Sequence, residues 1–140
     1  MTSLFIDSNV LVYWLHPGSP FNADVSAFLR EAFTRDQSLY VLSSSLNEVY
    51  YALHSHYMDE RTARASIETV ADVFELVDLT SSIVSTALAS NEPDYEGGLV
   101  RAAAEALAVD AIVTYDHKAF RASPIPSLTA AEALTEIAGD

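Results

Sequence analysis

Three carboxylates stand at places in this chain where an acidic site could be assembled. Asp7 closes the apolar run Leu4-Phe5-Ile6, Glu48 falls in the first turn of a predicted helix after the run Leu39–Leu42, and Asp116 follows the apolar stretch Ala111–Thr114. Two more acids, Asp94 and Glu96, open the predicted helix that feeds this last stretch. Carboxylates gathered in this way suit Mg²⁺ or Mn²⁺, hard cations held by a few acidic side chains and several waters. The chemistry such an ion supports is phosphodiester hydrolysis, where it supplies a nucleophile at neutral pH and offsets charge on the phosphoryl oxygens. Crowded acids repel one another without the ion, so at least one is expected to hold its proton unusually tightly.

Each acid also has a quieter reading. Asp7 could cap the following helix through Asn9 or Val10, although Ser8 beside it offers a cap of its own. Glu48 lies opposite the apolar stripe Leu46–Val49–Leu53, so amphipathicity alone makes it a solvated acid near a helix N-terminus. Asp116 precedes His117-Lys118-Ala119-Phe120 and could serve a turn. Asp110, ahead of the strand, reads as a turn residue.

Other chemistries find less support. The chain has no cysteine, which excludes disulfides, thiolate metal sites and a cysteine nucleophile. His54 and His56 are two residues apart on a predicted helix and point to different faces, which is no metal-ligand spacing. His117 reads as a loop residue. Ser43-Ser44-Ser45 suggests helix caps, since no strained elbow surrounds it. Gly97-Gly98 lacks the context of a phosphate loop and any following lysine. Trp14 and the seven tyrosines read as core and rim packing.

Composition narrows the field further. Twenty acids face seven bases, a net charge of −13 that excludes a uniformly basic nucleic-acid binder. Half of the 140 residues are hydrophobic, which excludes a disordered chain, and the length fits one domain spanning residues 1–140. No apolar run approaches the roughly 20 residues that span a membrane, and Met1–Asp7 lacks the basic start of a signal peptide. A cytoplasmic chain without a leader is expected.

The elements that must position the acids follow from periodicity. Strands are predicted at Leu4–Ile6, Leu39–Leu42, within Phe74–Leu79, at Ala111–Thr114 and within Ile125–Leu128. Between them lie a helix over Val10–Leu15 capped by Ser8 or Asn9, and one over Asn22–Phe33 with Val25, Phe28, Leu29 and Ala32 as its stripe. Ser43-Ser44-Ser45 should cap the next helix, and Asp59 and Thr80 the two after it. Asp94 caps the helix whose buried stripe is expected at Leu99, Ala102, Ala103, Ala106 and Leu107. Thr129 caps the last. This alternation implies a three-layer α/β/α sandwich around a mainly parallel sheet, with right-handed crossovers. Ligands in such folds bind beyond the carboxyl ends of the strands. Asp7, Glu48 and Asp116 should share that edge, whereas the approach of Asp94 and Glu96 depends on how their helix crosses.

Taken together, these stretches resemble a known family. Leu4-Phe5-Ile6-Asp7-Ser8-Asn9-Val10-Leu11 is similar to the opening of PIN domains, where an acid follows the first strand and an Asn comes two positions later. Glu48 matches the family's second acid, and Ala111–Asp116 with Phe120 resembles its closing strand and fourth acid. The resemblance runs from Leu4 to about Ile137. It implies a metal-dependent ribonuclease, often the toxin of a VapB/VapC-type toxin–antitoxin pair. It also implies Mg²⁺ or Mn²⁺ at the acidic cluster, a homodimer, and an antitoxin that blocks the site. Asp94-Tyr95-Glu96-Gly97-Gly98-Leu99 departs from the pattern, because the third acid usually stands where Gly97 is.

On this reading Asp7, Glu48 and Asp116 carry catalysis and hold metal, with Asp94 or Glu96 partly replacing the lost acid. Asn9, Thr114, Arg101, Lys118 and Arg121 are the candidates for positioning RNA. The alternative is a degenerate PIN fold kept as a binding module, motivated by Gly97. A phosphoryl-accepting receiver would need a paired acid near the first strand, and a haloacid-dehalogenase-like phosphatase a second Asp at Asn9. Neither requirement is met.

Overall fold

The computed structural model describes residues 1–139. Five strands form one sheet: β1 (Ser3–Ile6), β2 (Ser38–Leu42), β3 (Glu75–Val77), β4 (Ala111–Val113) and β5 (Ser127–Leu128). Their order is β3-β2-β1-β4-β5, and every neighbouring pair is parallel. Among the described residues six helices connect them and a seventh follows β5: α1 (Ser8–Leu15), α2 (Asn22–Thr34), α3 (Ser45–His56), α4 (Glu60–Val73), α5 (Ser81–Ala89), α6 (Tyr95–Leu107) and α7 (Ala130–Ala138). A 3₁₀ turn at His117–Phe120 follows β4. This is the α/β sandwich expected from the alternation. Among the described residues, no helix is long and apolar enough to cross a membrane.

The two-residue period of the strands divides the core. Leu4, Ile6, Leu39, Val41, Ala111 and Val113 face one side, where they pack with residues of α1, α2, α3, α4 and α7. Phe5, Leu42 and Ile112 face the other side, against α5, α6 and the 3₁₀ turn. Phe5 and Ile112 are fully buried. Each such side chain contributes roughly 1.5–3 kcal/mol relative to exposure. The stripe predicted for α2 is buried in full at Val25, Phe28, Leu29 and Ala32.

Several helix starts agree with the caps read from sequence. Asp59 accepts from the Thr62 amide, Thr80 from Ile83 and Asp94 from Gly97, and Thr129 with Glu132 forms a reciprocal capping box. Three expectations are corrected. Asp7 caps α1, accepting from the Ser8 amide, while Ser8 and Asn9 lie inside the helix. None of the Ser43-Ser44-Ser45 hydroxyls caps α3, because Ser44 has already turned into the right-handed helical conformation and makes no side-chain cap bond. The buried face of α6 runs from Gly97 to Ala104, leaving Ala106 and Leu107 exposed as the helix passes the end of the sheet.

The path of α6 places Asp94. This helix ends at Leu107 and must deliver the chain to the start of β4 at Ala111, so it runs antiparallel to the strands. Its first residues therefore lie at the carboxyl edge of the sheet.

Candidate active site

One step beyond the register pair Ile6↔Val113, the ladder between β1 and β4 continues as the Asp7 amide donates to the Val113 carbonyl at 3.0 Å. Asp7 and Thr114 thus face each other at the carboxyl edge. β1 lies between β2 and β4, so the chain order reverses here, which is where α/β sheets open a crevice.

Asp7, Glu48, Asp94, Glu96 and Asp116 line one hollow of about 170 Å³ with Gly97 and Ala119. The three acids singled out first from the sequence do meet, and Asp94 and Glu96 join them. Glu48 is half-buried in this wall, which corrects its reading as a solvated acid. Asp116, Asp94 and Glu96 remain exposed, so the hollow opens to solvent.

Asp7 is the most tightly held of the five. Its Oδ1 accepts from the Ser8 amide at 2.9 Å and its Oδ2 from the Thr114 hydroxyl at 2.8 Å. Asn9 Nδ2 lies 3.4 Å from the same Oδ2, and Asn9 Oδ1 accepts from the Tyr115 amide at 3.2 Å. The Thr114 hydroxyl also accepts from the Asp116 amide at 2.9 Å. One buried oxygen therefore links two of the acids. Burial pushes the Asp7 carboxyl above the usual carboxylate range, and the negative charges of Asp116 and Asp94 push in the same direction. The Thr114 and Ser8 hydrogen bonds oppose the shift without cancelling it.

The residues expected to position a substrate divide. Asn9 lines the hollow. Thr114 is fully buried and cannot reach a ligand; it orients Asp7 and the chain leading to Asp116. Arg101 does not face the hollow. Its guanidinium donates to Glu92 at 2.6 Å and Glu105 at 2.8 Å, and it lines a separate groove between α5 and α6. The direction of its side chain along α6 carries it away from the acids. Lys118 and Arg121 are exposed and border a neighbouring cavity of about 530 Å³ with Asn91 and Pro93. Ser8 and Ala119 also line the hollow and were missed, since nothing in a serine or an alanine marks such a role.

The two glycines have different causes. A Cβ on Gly98 would lie 3.2 Å from Ser90 Oγ and 3.4 Å from Ala87 Cβ, so its lack of a side chain lets α5 approach α6. A Cβ on Gly97 would lie 3.1 Å from Ala119 Cβ and 3.3 Å from Asp94 Oδ2. The space over Gly97 is thus taken by the 3₁₀ turn on one side and by the Asp94 carboxylate on the other.

The donor set fits a hard divalent cation, because carboxylate oxygens in a small hollow are its preferred partners. Among the described residues, no three His, Asp or Glu side chains already stand close enough together to hold one ion. The acids face a common space rather than a single point, an arrangement compatible with an ion that keeps several waters.

Comparison with known proteins agrees with this fold. No curated protein sequence matches the chain. Among solved structures, the Mycobacterium tuberculosis VapC20, a Sarcin-Ricin loop cleaving toxin, is similar with a TM-score of 0.68 at 12% identity, covering 81% of this chain and 89% of that one. A chain of VapBC2 from Rickettsia felis, bound to a promoter DNA fragment, gives 0.66 at 13% identity over 91% and 98%. A chain of a toxin–antitoxin complex from Klebsiella pneumoniae gives 0.61 at 18% identity over 92% and 98%. At these identities the likeness is one of fold. The model of the PIN domain family matches residues 3–118, from the first strand through Asp116 to the 3₁₀ turn, and the chain belongs to the PIN domain family.

Proposed function

We propose that this chain is a metal-dependent endoribonuclease, the toxin of a toxin–antitoxin pair. The observation that carries the reading is the convergence of Asp7, Glu48, Asp94, Glu96 and Asp116 on one hollow at the carboxyl edge of the sheet. Asp7 and Asp116 would hold Mg²⁺ or Mn²⁺, with Glu48 as a further ligand or as the acceptor that orients an attacking water. When bound, the cation supplies charge neutralisation at the phosphoryl group and a nucleophile at neutral pH. The protein's own part is to keep Asp7 in place through Thr114, Asn9 and the α1 amide, and to keep carboxylates ready to accept a proton. Asn9, Lys118 and Arg121 would position RNA, with the two cations contacting phosphates beside the acidic hollow.

The fold likeness to VapBC2 from Rickettsia felis and to a toxin–antitoxin complex from Klebsiella pneumoniae supports an antitoxin as partner. A homodimer in the cytoplasm belongs to the same reading. The test is cleavage of RNA in Mg²⁺ or Mn²⁺ by the wild type and by Asp7→Asn. Cleavage by the wild type alone supports the proposal, and equal cleavage by both removes it.

Gly97 favours one second reading, a degenerate PIN fold that binds a partner without hydrolysis. Its position offers no carboxylate, and among the described residues no three acids are gathered tightly enough to hold an ion at once. Calorimetry with Mn²⁺ separates the two, since tight binding lost in Asp7→Asn counts against the binding module.

A further inference from the structure

We infer that the groove between α3 and α6 is a nucleobase subsite, which takes the RNA base next to the phosphodiester under attack. The inference rests on the nuclease reading above and adds to it the part of the substrate that this chain recognises. The groove encloses about 360 Å³, within the roughly 300–1,000 Å³ of small-ligand pockets. Glu48 and Glu96 line both it and the acidic hollow, so the two spaces adjoin.

The carrier of the inference is an unpartnered hydroxyl. Ser45 opens α3, lines the groove and is only 5% exposed, yet no hydrogen bond engages its Oγ among the described residues. Ser44 beside it also lines the groove and makes no side-chain cap bond, which leaves the first amides of α3 without a side-chain acceptor. Two serines that the sequence assigns to capping therefore leave their hydroxyls to the groove. The edge of a nucleobase suits them, because it carries both donors and acceptors. A hydroxyl gives and takes a hydrogen bond, and the two glutamates accept from amino groups.

Two aromatic rings supply the faces. Tyr51 on α3 and Tyr95 at the start of α6 are 67% and 47% exposed, and both line the groove. Leu42 and Leu99, nearly fully buried, add to its apolar lining. Exposed rings of this kind stack on a base of any type, and polar groups at its edge then choose among bases. Charge decides against a phosphate in the same place. Among the described residues, no Lys or Arg lines the groove, and two glutamates do. Lys118 and Arg121 border a different cavity that shares no residue with this one. A neutral base is thus accepted where the backbone is repelled.

The experiment is steady-state cleavage of a single-stranded RNA by the full chain in Mn²⁺, with the base removed at one position at a time. In the wild type, an abasic position next to the scissile phosphate should raise KM by about fivefold or more and leave kcat within about threefold. Tyr51→Ala and Tyr95→Ala should raise KM similarly on intact RNA, and the abasic position should then add little. Tyr51→Phe and Tyr95→Phe should keep most of the affinity, since the ring remains. Ser45→Ala should narrow the preference between bases at that position by about two- to tenfold. Mn²⁺ affinity by calorimetry and the melting temperature should stay near the wild-type values in both tyrosine variants. Asp7-dependent cleavage in which the tyrosine variants leave KM unmoved, or raise it whichever base is missing, overturns this inference while leaving the nuclease reading intact. Absence of Asp7-dependent cleavage in the wild type overturns both. A wild-type dimer that dissociates in Tyr51→Ala or Tyr95→Ala makes the groove an interface between copies and overturns this inference alone.

Discussion

β1 and β4 carry an acid at each end of their shared ladder, and the two acids are treated in opposite ways. At the amino edge, Asp110 Oδ2 accepts from the Thr2 and Ser3 amides at 2.7 and 3.0 Å, which holds its carboxyl below the usual range. At the carboxyl edge, Asp7 is buried beside Asp116 and Asp94, and its carboxyl is pushed up. The first acid is matched by donors and tightens the fold. The second is surrounded by like charge, and a bound cation would relieve it. The same pair of strands therefore stores stability at one end and electrostatic tension at the other, and the tension marks the candidate site.

The largest effect that can break this contrast comes from Asp7→Asn. Cleavage and Mn²⁺ binding should fall by at least about 100-fold, because a charged ligand is lost from the hollow. Stability should move the other way. Since folding raises the Asp7 pKa, the folded state binds the proton more tightly than the unfolded chain, and ionisation opposes folding as pH climbs from 3.8 through the raised value. In EDTA at pH 7, Asp7→Asn should melt higher than the wild type, and the gain should vanish well below pH 3.8. A lower melting temperature at pH 7 would contradict the assigned tension.

Next comes Arg101→Met. It leaves Glu92 buried without its partner and should cost about 2–3 kcal/mol in urea unfolding. Thr114→Val keeps the shape but removes the hydroxyl shared by Asp7 and the Asp116 amide. About 1–3 kcal/mol should be lost, and Thr114→Ser should restore most of it. The smallest effect is Asp110→Asn, at an exposed position where the loss should be about 0.5 kcal/mol with cleavage unchanged. Asp110 stabilises above the ordinary carboxylate pKa, and this contribution disappears as pH falls through its lowered value, so wild type and variant should converge in acid.

Much of this arrangement was legible in the sequence because it is periodic or local. Short continuous apolar runs gave the strands, and Asp59, Thr80, Asp94 and Thr129 announced their helices by standing just before them. The edge rule for parallel sheets then brought Asp7, Glu48 and Asp116 together without coordinates. What escaped was set by side-chain direction and long-range partners. Arg101 resembled a phosphate contact by its spacing from Gly97. Its partner Glu92 sits nine residues earlier, beyond any helical pairing rule, and draws the guanidinium away from the hollow. Thr114 closed an apolar strand, and nothing local showed that its hydroxyl would be the shared hydrogen-bond partner of Asp7 and Asp116. The route of Asp94 was open in sequence because α5 and α6 come in succession between β3 and β4; only the path back to β4 decided it.

The most direct test is a crystal of the wild type soaked in Mn²⁺ and measured for anomalous scattering. The account predicts an ion in the hollow with oxygens of Asp7 and Asp116 about 2.0–2.3 Å away. A hollow without an ion at saturating Mn²⁺, or an ion bound only to acids elsewhere on the surface, would contradict it.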